Sequence, residues 1–334
     1  MRLFSTEQVS KYHPDKYADQ ISDAILTACL REDKGARVAC ETLVKDKTVV
    51  IAGEITTTAK IDYTAIVKRV AAKLNYEVDN IINLLSEQSA EINQAVTKDE
   101  QIGAGDQGIM FGYATSETKS YLPYAFDYAN KIIEAIEKDV SNGFLKGDAK
   151  TQVTIDLDTN EIITTLISVC HKEGATLKQV QDYVTNLLID DGLYHKSKKF
   201  LINPAGTWTI GGAVADCGLT GRKIVCDQYG GFIAVGGGAF SGKDPTKVDR
   251  SASYMARRIA IDLVNEFALK ECEIQLAYAI GVAEPVSVYV KADTKADFKA
   301  FIQKNYNLTP KGIIERLDLL NIDYERLAEG CHYR

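Results

Sequence analysis

The chain has 334 residues, a formal net charge of -7, 46% apolar residues and 25% charged residues. This length suggests two or three domains, and the composition is that of an ordinary soluble globular protein. The sequence has no basic block that would follow a nucleic-acid backbone and no apolar run of membrane-spanning length. We therefore expect no nucleic-acid partner and no membrane association.

The first residues and the cysteines indicate a cytoplasmic protein. Residues 1–7 hold one cation but no apolar segment of the kind found in secretory signal peptides. The seven cysteines are scattered, with no C-x-x-C pair. They are typical of buried thiols in a reducing compartment, and not of disulfides or zinc ligands.

Hydrophobic periodicity predicts one pattern three times along the chain: a helix, two strands joined by a short turn, and a second helix. The predicted elements are, in chain order, a helix over 15–31, strands over 36–44 and 48–57 and a helix over 63–74; a helix over 125–137, strands over 151–157 and 161–171 and a helix over 177–188; and a helix over 249–269, strands over 273–280 and 285–290 and a helix over 295–303. The short turns imply antiparallel hairpins. Repetition of this unit predicts an α+β fold of three similar domains, each a mostly antiparallel sheet with helices packed on one face.

Two segments lie outside this pattern. Residues 89–104 are polar and end in Gly-Ala-Gly, which is typical of a plain exposed loop or of a mobile loop that covers an active site. Residues 200–227 alternate short apolar runs with Gly-rich turns. The strands predicted there are 200–203, 208–210 and 223–226. The domains predicted for the whole chain are residues 1–95, 101–210 and 211–334.

The motif His13-Pro14-Asp15-Lys16 opens the first predicted helix. Proline suits the first helical position, where its missing N–H would be unpaired anyway, and an acid in the first turn suits the helix dipole. Asp15 therefore fits simple capping. A helix start is also a ready anion site, and here it carries a histidine and a lysine, so a magnesium ligand at Asp15 is the alternative.

Two acids interrupt predicted strands. Glu41 and Glu54 each lie beside small apolar residues. An acid in a strand can point to solvent, but a buried carboxylate needs a cation or hydrogen-bond donors. Both are candidates for binding an ammonium group or a metal ion.

The glycine-rich stretch over residues 236–253 combines glycines, cations and acids, as a polyphosphate site would. Residues 237–243 fit the P-loop pattern G-x-x-x-x-G-K, but Asp244 stands where a P-loop has Ser or Thr, and Pro245 follows at once. The P-loop interpretation therefore fails. A charged surface turn remains the alternative to a phosphate-binding loop.

Smaller clusters hold further polar candidates. Residues 103–108, Gly-Ala-Gly-Asp-Gln-Gly, precede an apolar strand predicted over 109–113. Lys150 follows Asp148 at the start of the second hairpin. Residues 216–223 pack an acid and two cations around glycines. Trp208, the only tryptophan, would stack on a base or fill a core.

Taken together, His13–Lys16, Gly-Ala-Gly-Asp-Gln-Gly, Asp148-Ala149-Lys150 and Gly-Gly-Gly-Ala-Phe-Ser-Gly-Lys-Asp resemble the S-adenosylmethionine synthetase (methionine adenosyltransferase) family. The match covers nearly the whole chain, and the last of these motifs is specific to that family. The resemblance implies three intertwined α+β domains and active sites shared between two subunits of a homodimer, or of a dimer of dimers.

The resemblance also implies roles for individual residues. His13 and Lys150 would contact the phosphates and ribose of ATP, and Arg222, Lys223 and Lys243 would hold the triphosphate; His13, Lys150, Arg222 and Lys243 would be the catalytic residues. The remaining positions are Asp148, Thr207, Trp208, Asp216 and Ala239 for ATP; Glu54, Gln88, Asp106, Asp216 and Lys247 for methionine; Asp15 and Asp249 for two Mg²⁺ ions; and Glu41 for K⁺. Residues 89–104 correspond to the family's mobile loop.

The sequence departs from the family pattern at several points. Lys11 and Tyr12 replace the usual Glu-Gly before His13, and Thr207 replaces a cation before Trp208. The loop after Gln88 is shorter than in common bacterial members, and the chain stops soon after His332. The change at Lys11 and Tyr12 alters the approach to the first helix. The change at Thr207 alters the nucleotide contacts, and the short C-terminus alters the assembly contacts.

The implied reaction is attack by the methionine sulfur on C5′ of ATP, followed by hydrolysis of the tripolyphosphate. A thioether has no proton to lose, so the chemistry needs positioning and charge stabilisation more than a base. Two other classes remain open: an ATP-dependent kinase or ligase, and a non-catalytic nucleotide-binding module.

Overall fold

The computed structural model describes residues 1–87, 97–98 and 101–334. Its longer helices are α1 (Pro14–Glu32), α2 (Tyr63–Lys73), α3 (Tyr124–Asp139), α4 (Leu177–Asp190), α7 (Val248–Glu266), α8 (Lys299–Asn305) and α9 (Pro310–Leu317); four-residue helices are α5 (Gly212–Ala215), α6 (Ile224–Asp227) and α10 (Tyr324–Leu327). No helix in this part of the chain is long and apolar enough to cross a bilayer.

The strands form three larger sheets. They are β1 (Leu3–Val9), β2 (Arg37–Lys45), β3 (Thr48–Thr56), β4 (Asn80–Ser86), β5 (Thr97–Lys98), β6 (Gln101–Ile102), β7 (Gly108–Thr115), β8 (Leu145–Asp156), β9 (Glu161–His171), β10 (Phe200–Ile202), β11 (Gly218–Leu219), β12 (Glu271–Tyr278) and β13 (Ser287–Ala292). The orders are β1-β8-β9-β10, β11-β2-β3-β4 and β13-β12-β7, and β5 pairs with β6. Only β4 and β10 run parallel to their neighbours in these sheets. The predicted α+β class with mostly antiparallel sheets is confirmed.

Each sheet takes a strand from a distant part of the chain. β1 pairs with β8, β11 pairs with β2, and β7 pairs with β12. The three units are therefore intertwined, and among the described residues each of the three larger sheets combines segments that are far apart in the sequence. The helices α1, α3 and α7 cover one face of the second, first and third sheets.

Several predicted elements differ from the structure. Residues 208–210 form no strand: the Trp208 carbonyl accepts the His171 N–H at 2.9 Å, but the Trp208 N–H donates to the His171 ring and not to a neighbouring backbone. Residues 223–226 were predicted as a strand from a short β-branched run, but α6 is a helix there; such short apolar runs do not distinguish the two. The periodicity also missed β1, β4 and α9.

The helices α1 and α7 lie in the interior. Sixteen of the 19 residues of α1 are buried, and they include charged ones such as Asp15, Lys16 and Asp19. In α7 the buried set includes Arg250 and Arg257. A buried charge needs partners, so these two helices carry the ion pairs that organise the surrounding loops.

Candidate active site

His13 starts α1 as its N-cap residue. Its Nδ1 accepts a hydrogen bond from the Asp15 backbone N–H at 3.1 Å, so the ring proton sits on Nε2. Burial, with the nearby Lys223 ammonium, lowers the pKa of His13 to about 3. The imidazole is therefore neutral at physiological pH and can donate from Nε2. The capping role predicted for Asp15 belongs to His13.

The carboxylate of Asp15 is fully buried among donors. The Leu219 N–H donates to Oδ1 at 2.9 Å, and the Lys223 ammonium donates to Oδ2 at 2.5 Å. The Arg222 guanidinium lies 3.6 Å from Oδ1. Burial alone would raise the pKa of Asp15, but Lys223 and the Leu219 N–H outweigh it and hold the pKa below its usual value. Asp15 is thus ionised and joined to two of the predicted triphosphate ligands.

The glycine-rich loop is fixed against β2. The Cys40 N–H donates to the Gly242 carbonyl at 3.0 Å, and the Asp244 N–H donates to the Val38 carbonyl at 3.1 Å. Gly242 has φ = 80°, and a Cβ there would lie 1.9 Å from the Cys40 carbonyl oxygen. Only glycine fits this backbone and this close approach. The loop is therefore an ordered element and not a free surface turn.

Lys243 points from this loop to the first turn of α7. Its Nζ bonds Oδ2 of Asp249 at 2.6 Å. A Cβ at Gly238 would lie 2.2 Å from the Asp249 Cγ, so the loop backbone rests directly on this carboxylate. The second predicted magnesium ligand is thus paired with a predicted triphosphate ligand, as Asp15 is.

Two cation-bearing segments, residues 221–223 and the glycine-rich loop, contact each other. A Cβ at Gly221 would lie 2.5 Å from the Cβ of Ala239. Arg222 and Lys223 follow the first of these residues, and Lys243 follows the second in the glycine-rich loop. The structure therefore brings one segment of predicted phosphate ligands against the other.

Glu41 and Glu54 lie on the helix-free face of their sheet, opposite Ala52 and Ala39 in register. Both are exposed, so neither is the deeply buried acid considered from the sequence. Partial burial, and then the neighbouring Glu54 carboxylate, raise the pKa of Glu41, and the Lys243 ammonium opposes the rise. Glu41 is thus a neighbour of both Glu54 and Lys243.

Asp148 is buried near the start of β8. The Gly212 N–H donates to its Oδ2 at 2.6 Å, while Oδ1 has no hydrogen-bond partner within the described residues. Burial raises the pKa of Asp148 to about 6. Lys150, two residues on, is exposed, and Lys150 and Asp216 both shift the pKa of His13. These side chains therefore surround the start of α1.

Other predicted residues are not drawn into these contacts. Lys247 pairs with the buried Asp244, and the Oδ1 of the exposed Asp106 accepts the Gln107 N–H at 2.7 Å. Thr207 is exposed and Trp208 is half-buried. Gln88, and residues 89–96 and 99–100 of the predicted mobile loop, lie outside the described residues. The roles suggested for all of these remain predictions.

Sequence reasoning gave no site role to a set of buried charges beneath the loops. The Lys16 ammonium bonds Asp227 at 2.6 Å and lies 3.0 Å from Asp19. The Arg250 guanidinium makes two bonds of 2.7 Å to the Asp23 carboxylate. The four-residue spacing of Asp15, Asp19 and Asp23 is a signal that could have found the acids, but nothing in the sequence pairs them with Arg250.

The fold and these carboxylate–cation pairs define a three-domain α+β protein with a cationic site where distant chain segments meet. Family models for the N-terminal, central and C-terminal domains of S-adenosylmethionine synthetase match residues 1–101, 101–208 and 210–334. The chain belongs to the S-adenosylmethionine synthetase family.

A solved structure supports the same relationship. It is described as an unusual S-adenosylmethionine synthetase from Campylobacter jejuni. The two proteins share 36% sequence identity and superpose with a TM-score of 0.90, over 98% of this chain and 94% of that chain. The family implies ATP and methionine as substrates and a use of divalent metal ions.

Proposed function

We propose that this chain makes S-adenosylmethionine from ATP and L-methionine and releases pyrophosphate and phosphate. The observation that carries the proposal is the matched pairing of Lys223 with Asp15 and of Lys243 with Asp249. Each pair joins a predicted triphosphate ligand to a predicted magnesium ligand. Lys223 and Lys243 would bind the oxygens of a magnesium–triphosphate group, and Asp15 and Asp249 would hold its metal ions.

The chemistry of these carboxylates fits Mg²⁺. No group of three or more metal-ligating side chains is present in the part of the chain that the structure describes. Mg²⁺ commonly keeps several waters and takes only one or two carboxylates together with substrate phosphates. Asp15 and Asp249 would hold two such ions, which would supply charge stabilisation to the leaving group. Glu41, next to Glu54, would hold K⁺ with further oxygen ligands.

The proposed transfer forms the bond from the methionine sulfur to C5′ and breaks the bond from C5′ to its oxygen. The sulfur has no proton to remove, so no general base is needed. Arg222, Lys223 and Lys243 stabilise the charge that develops on the leaving oxygen. Neutral His13 donates from Nε2 to a phosphate oxygen, and Lys150 contacts the phosphates and ribose. The same cations then hold the tripolyphosphate while water cleaves it.

Methionine would bind beside this phosphate site. Glu54, Lys247, Asp216 and Asp106 are the proposed contacts, together with Gln88 from outside the described residues. Acids near the sulfur stabilise the sulfonium as it forms. Thr207, Trp208, Asp148 and Ala239 would bind the adenosine part and the phosphates.

We further propose that two copies complete each active site, in a homodimer or a dimer of dimers. On the helix-free face of the second sheet, Leu84 is 61% exposed beside Ala52, which pairs with Glu41. Ile82, two residues away on the same face of β4, is 40% exposed, and neighbouring exposed apolar side chains suit a face that a second subunit covers.

Product identification tests the proposal. The chain is incubated with ATP, methionine, Mg²⁺ and K⁺, and the products are identified by mass spectrometry. S-adenosylmethionine, pyrophosphate and phosphate that form only with methionine would support the synthesis. A phosphorylated or adenylated acceptor would identify a kinase or ligase, and ATP binding without methionine-dependent turnover would identify a nucleotide-binding module.

A further inference from the structure

Three aspartates of α1 hold the loops of the candidate site through their backbone. Asp15, Asp19 and Asp23 are four residues apart, so they lie along one face of the helix. The N–H groups of Leu219, Gly221 and Gly242 donate to their Oδ1 atoms at 2.9, 2.8 and 2.8 Å. One helix face therefore binds both cation-bearing segments. We call Asp15, Asp19 and Asp23 the aspartate ladder.

The ladder bonds fall next to the cations in the sequence. Gly221 directly precedes Arg222 and Lys223, and Gly242 directly precedes Lys243. Charge-assisted hydrogen bonds of this kind are stronger than neutral ones, and in a dry interior they fix the donor group firmly. The ladder thus sets the position of the backbone from which each phosphate-binding side chain extends.

Each aspartate of the ladder also pairs with a cation. Asp15 pairs with Lys223, and Asp19 pairs with Lys16. The Asp23 carboxylate accepts two hydrogen bonds from the Arg250 guanidinium. Burial alone would lower the pKa of Lys16, but Asp19 and Asp227 outweigh it and raise that pKa above its usual value. Burial raises the pKa of Asp19, and the Lys16 ammonium and the Gly221 N–H oppose that rise.

Arg250 contacts the other side of Lys243. Its Nη1 donates to the Lys243 carbonyl at 3.2 Å, while Asp23 accepts the N–H of Gly242 on the preceding peptide. Its Nε donates to the Tyr254 hydroxyl at 3.0 Å, which fixes the plane of the guanidinium. The Asp23–Arg250 pair therefore holds the peptide group that precedes Gly242 and the peptide group that follows Lys243.

We infer that Asp19, Asp23 and Arg250 are positioning residues of the triphosphate site: they touch no substrate themselves but set where Arg222, Lys223 and Lys243 stand. This inference deepens the proposed function and rests on it for the identity of the phosphate group. Its physical basis is that no helix or strand lies between α6 and α7, so these side-chain bonds supplement the backbone bonds that Gly242 and Asp244 make to β2.

Replacement of Arg250 by lysine tests the inference, with Arg257→Lys as the matched control. Both arginines are buried on α7, but Arg257 donates to the carbonyls of Tyr113, Ser120 and Tyr121, away from the loop. A lysine at 250 keeps the charge beside Asp23 but cannot also hold the Lys243 carbonyl and Tyr254. The measurements are kcat, the KM for methionine, and calorimetric binding of inorganic tripolyphosphate with Mg²⁺, for variants whose circular dichroism matches the wild type.

For Arg250→Lys we expect kcat and tripolyphosphate affinity to fall by about tenfold or more, because small displacements of positioned groups cost this much. The KM for methionine should stay within about twofold of the wild-type value. In Arg257→Lys, kcat, the KM for methionine and the tripolyphosphate affinity should all stay within the same range. If Arg250→Lys does not fold, the neutral pair Asp23→Asn with Arg250→Gln replaces it, with the same expectation.

Two results would overturn the inference: wild-type tripolyphosphate binding in a folded Arg250 variant, or an equal loss in Arg257→Lys. Failure of the proposed function is a separate result. A wild-type protein that forms no S-adenosylmethionine refutes the synthesis, while the tripolyphosphate binding series still decides the role of the ladder.

Discussion

At the scale of single residues, the site consists of ionised groups that neutralise one another in pairs. Lys243 with Asp249 and Lys223 with Asp15 lie at bonding distances of 2.6 and 2.5 Å. The resemblance of the sequence motifs to the family predicted site roles for all four residues. It could not show their pairing, since Asp15 and Lys223 are joined only by the fold.

Lys243→Ala should lower kcat by roughly a hundredfold or more, the scale for loss of one preorganised electrostatic contact. Steady-state kinetics measure the change. Lys198→Ala is the control, because that lysine pairs with Glu161 at the surface, away from the site. A Lys243→Ala rate within a few-fold of the wild type would refute the assignment.

Asp15→Asn should raise the Mg²⁺ concentration needed for half-maximal activity, because the proposed metal loses a carboxylate ligand. The measurement is a Mg²⁺ titration at saturating ATP and methionine. An unchanged titration curve would count against Asp15 as a metal ligand.

His13 should remain a neutral imidazole with its proton on Nε2 from pH 8 down to pH 5, since its pKa is lowered to about 3. The folded state then binds fewer protons than the unfolded state between the usual pKa and the lowered one. His13 therefore contributes a loss of stability as the pH falls from about 6.5 toward 3. Nitrogen-15 NMR of the ring measures the tautomer directly, and a protonation step near pH 6.5 would contradict the prediction.

At the scale of elements, the glycine-rich loop is placed by its edge contact with β2 and by the aspartate ladder. Periodicity predicted α1, α3 and α7 within a few residues, because each has a long apolar stripe. It missed β1, whose partner strand β8 lies more than a hundred residues further along the chain. Such pairing is decided by tertiary contacts and leaves no local signal.

Gly242→Ala should displace the glycine-rich loop from β2. The new Cβ would meet the Cys40 carbonyl oxygen, in addition to the strain of a positive φ, which costs about 1 kcal/mol by itself. We expect weaker tripolyphosphate binding and a lower melting temperature. Gly174→Ala is the control, because its φ is 77° but its Cβ position is open. Equal effects of the two changes would show that strain alone, and not the contact with β2, is responsible.

At the scale of the whole molecule, three sheets exchange strands between distant segments, and the candidate site joins residues from the first and last thirds of the chain. The sequence predicted three α+β units from their repeated pattern. It did not show that β1, β7 and β11 each join a sheet of another unit. The buried pair Asp23–Arg250 also joins the first unit to the last.

The most direct test of the central claim follows the oxygen between C5′ and the α-phosphorus of ATP. ATP labelled with ¹⁸O at this position is converted in the presence of methionine, and the products are analysed by mass spectrometry. Sulfur attack on C5′ breaks the carbon–oxygen bond, so we predict the label in the released pyrophosphate and phosphate pool and none in S-adenosylmethionine. Label that stays attached to the adenosine carbon would mean that a phosphorus–oxygen bond is broken instead, and it would contradict the proposed adenosyl transfer.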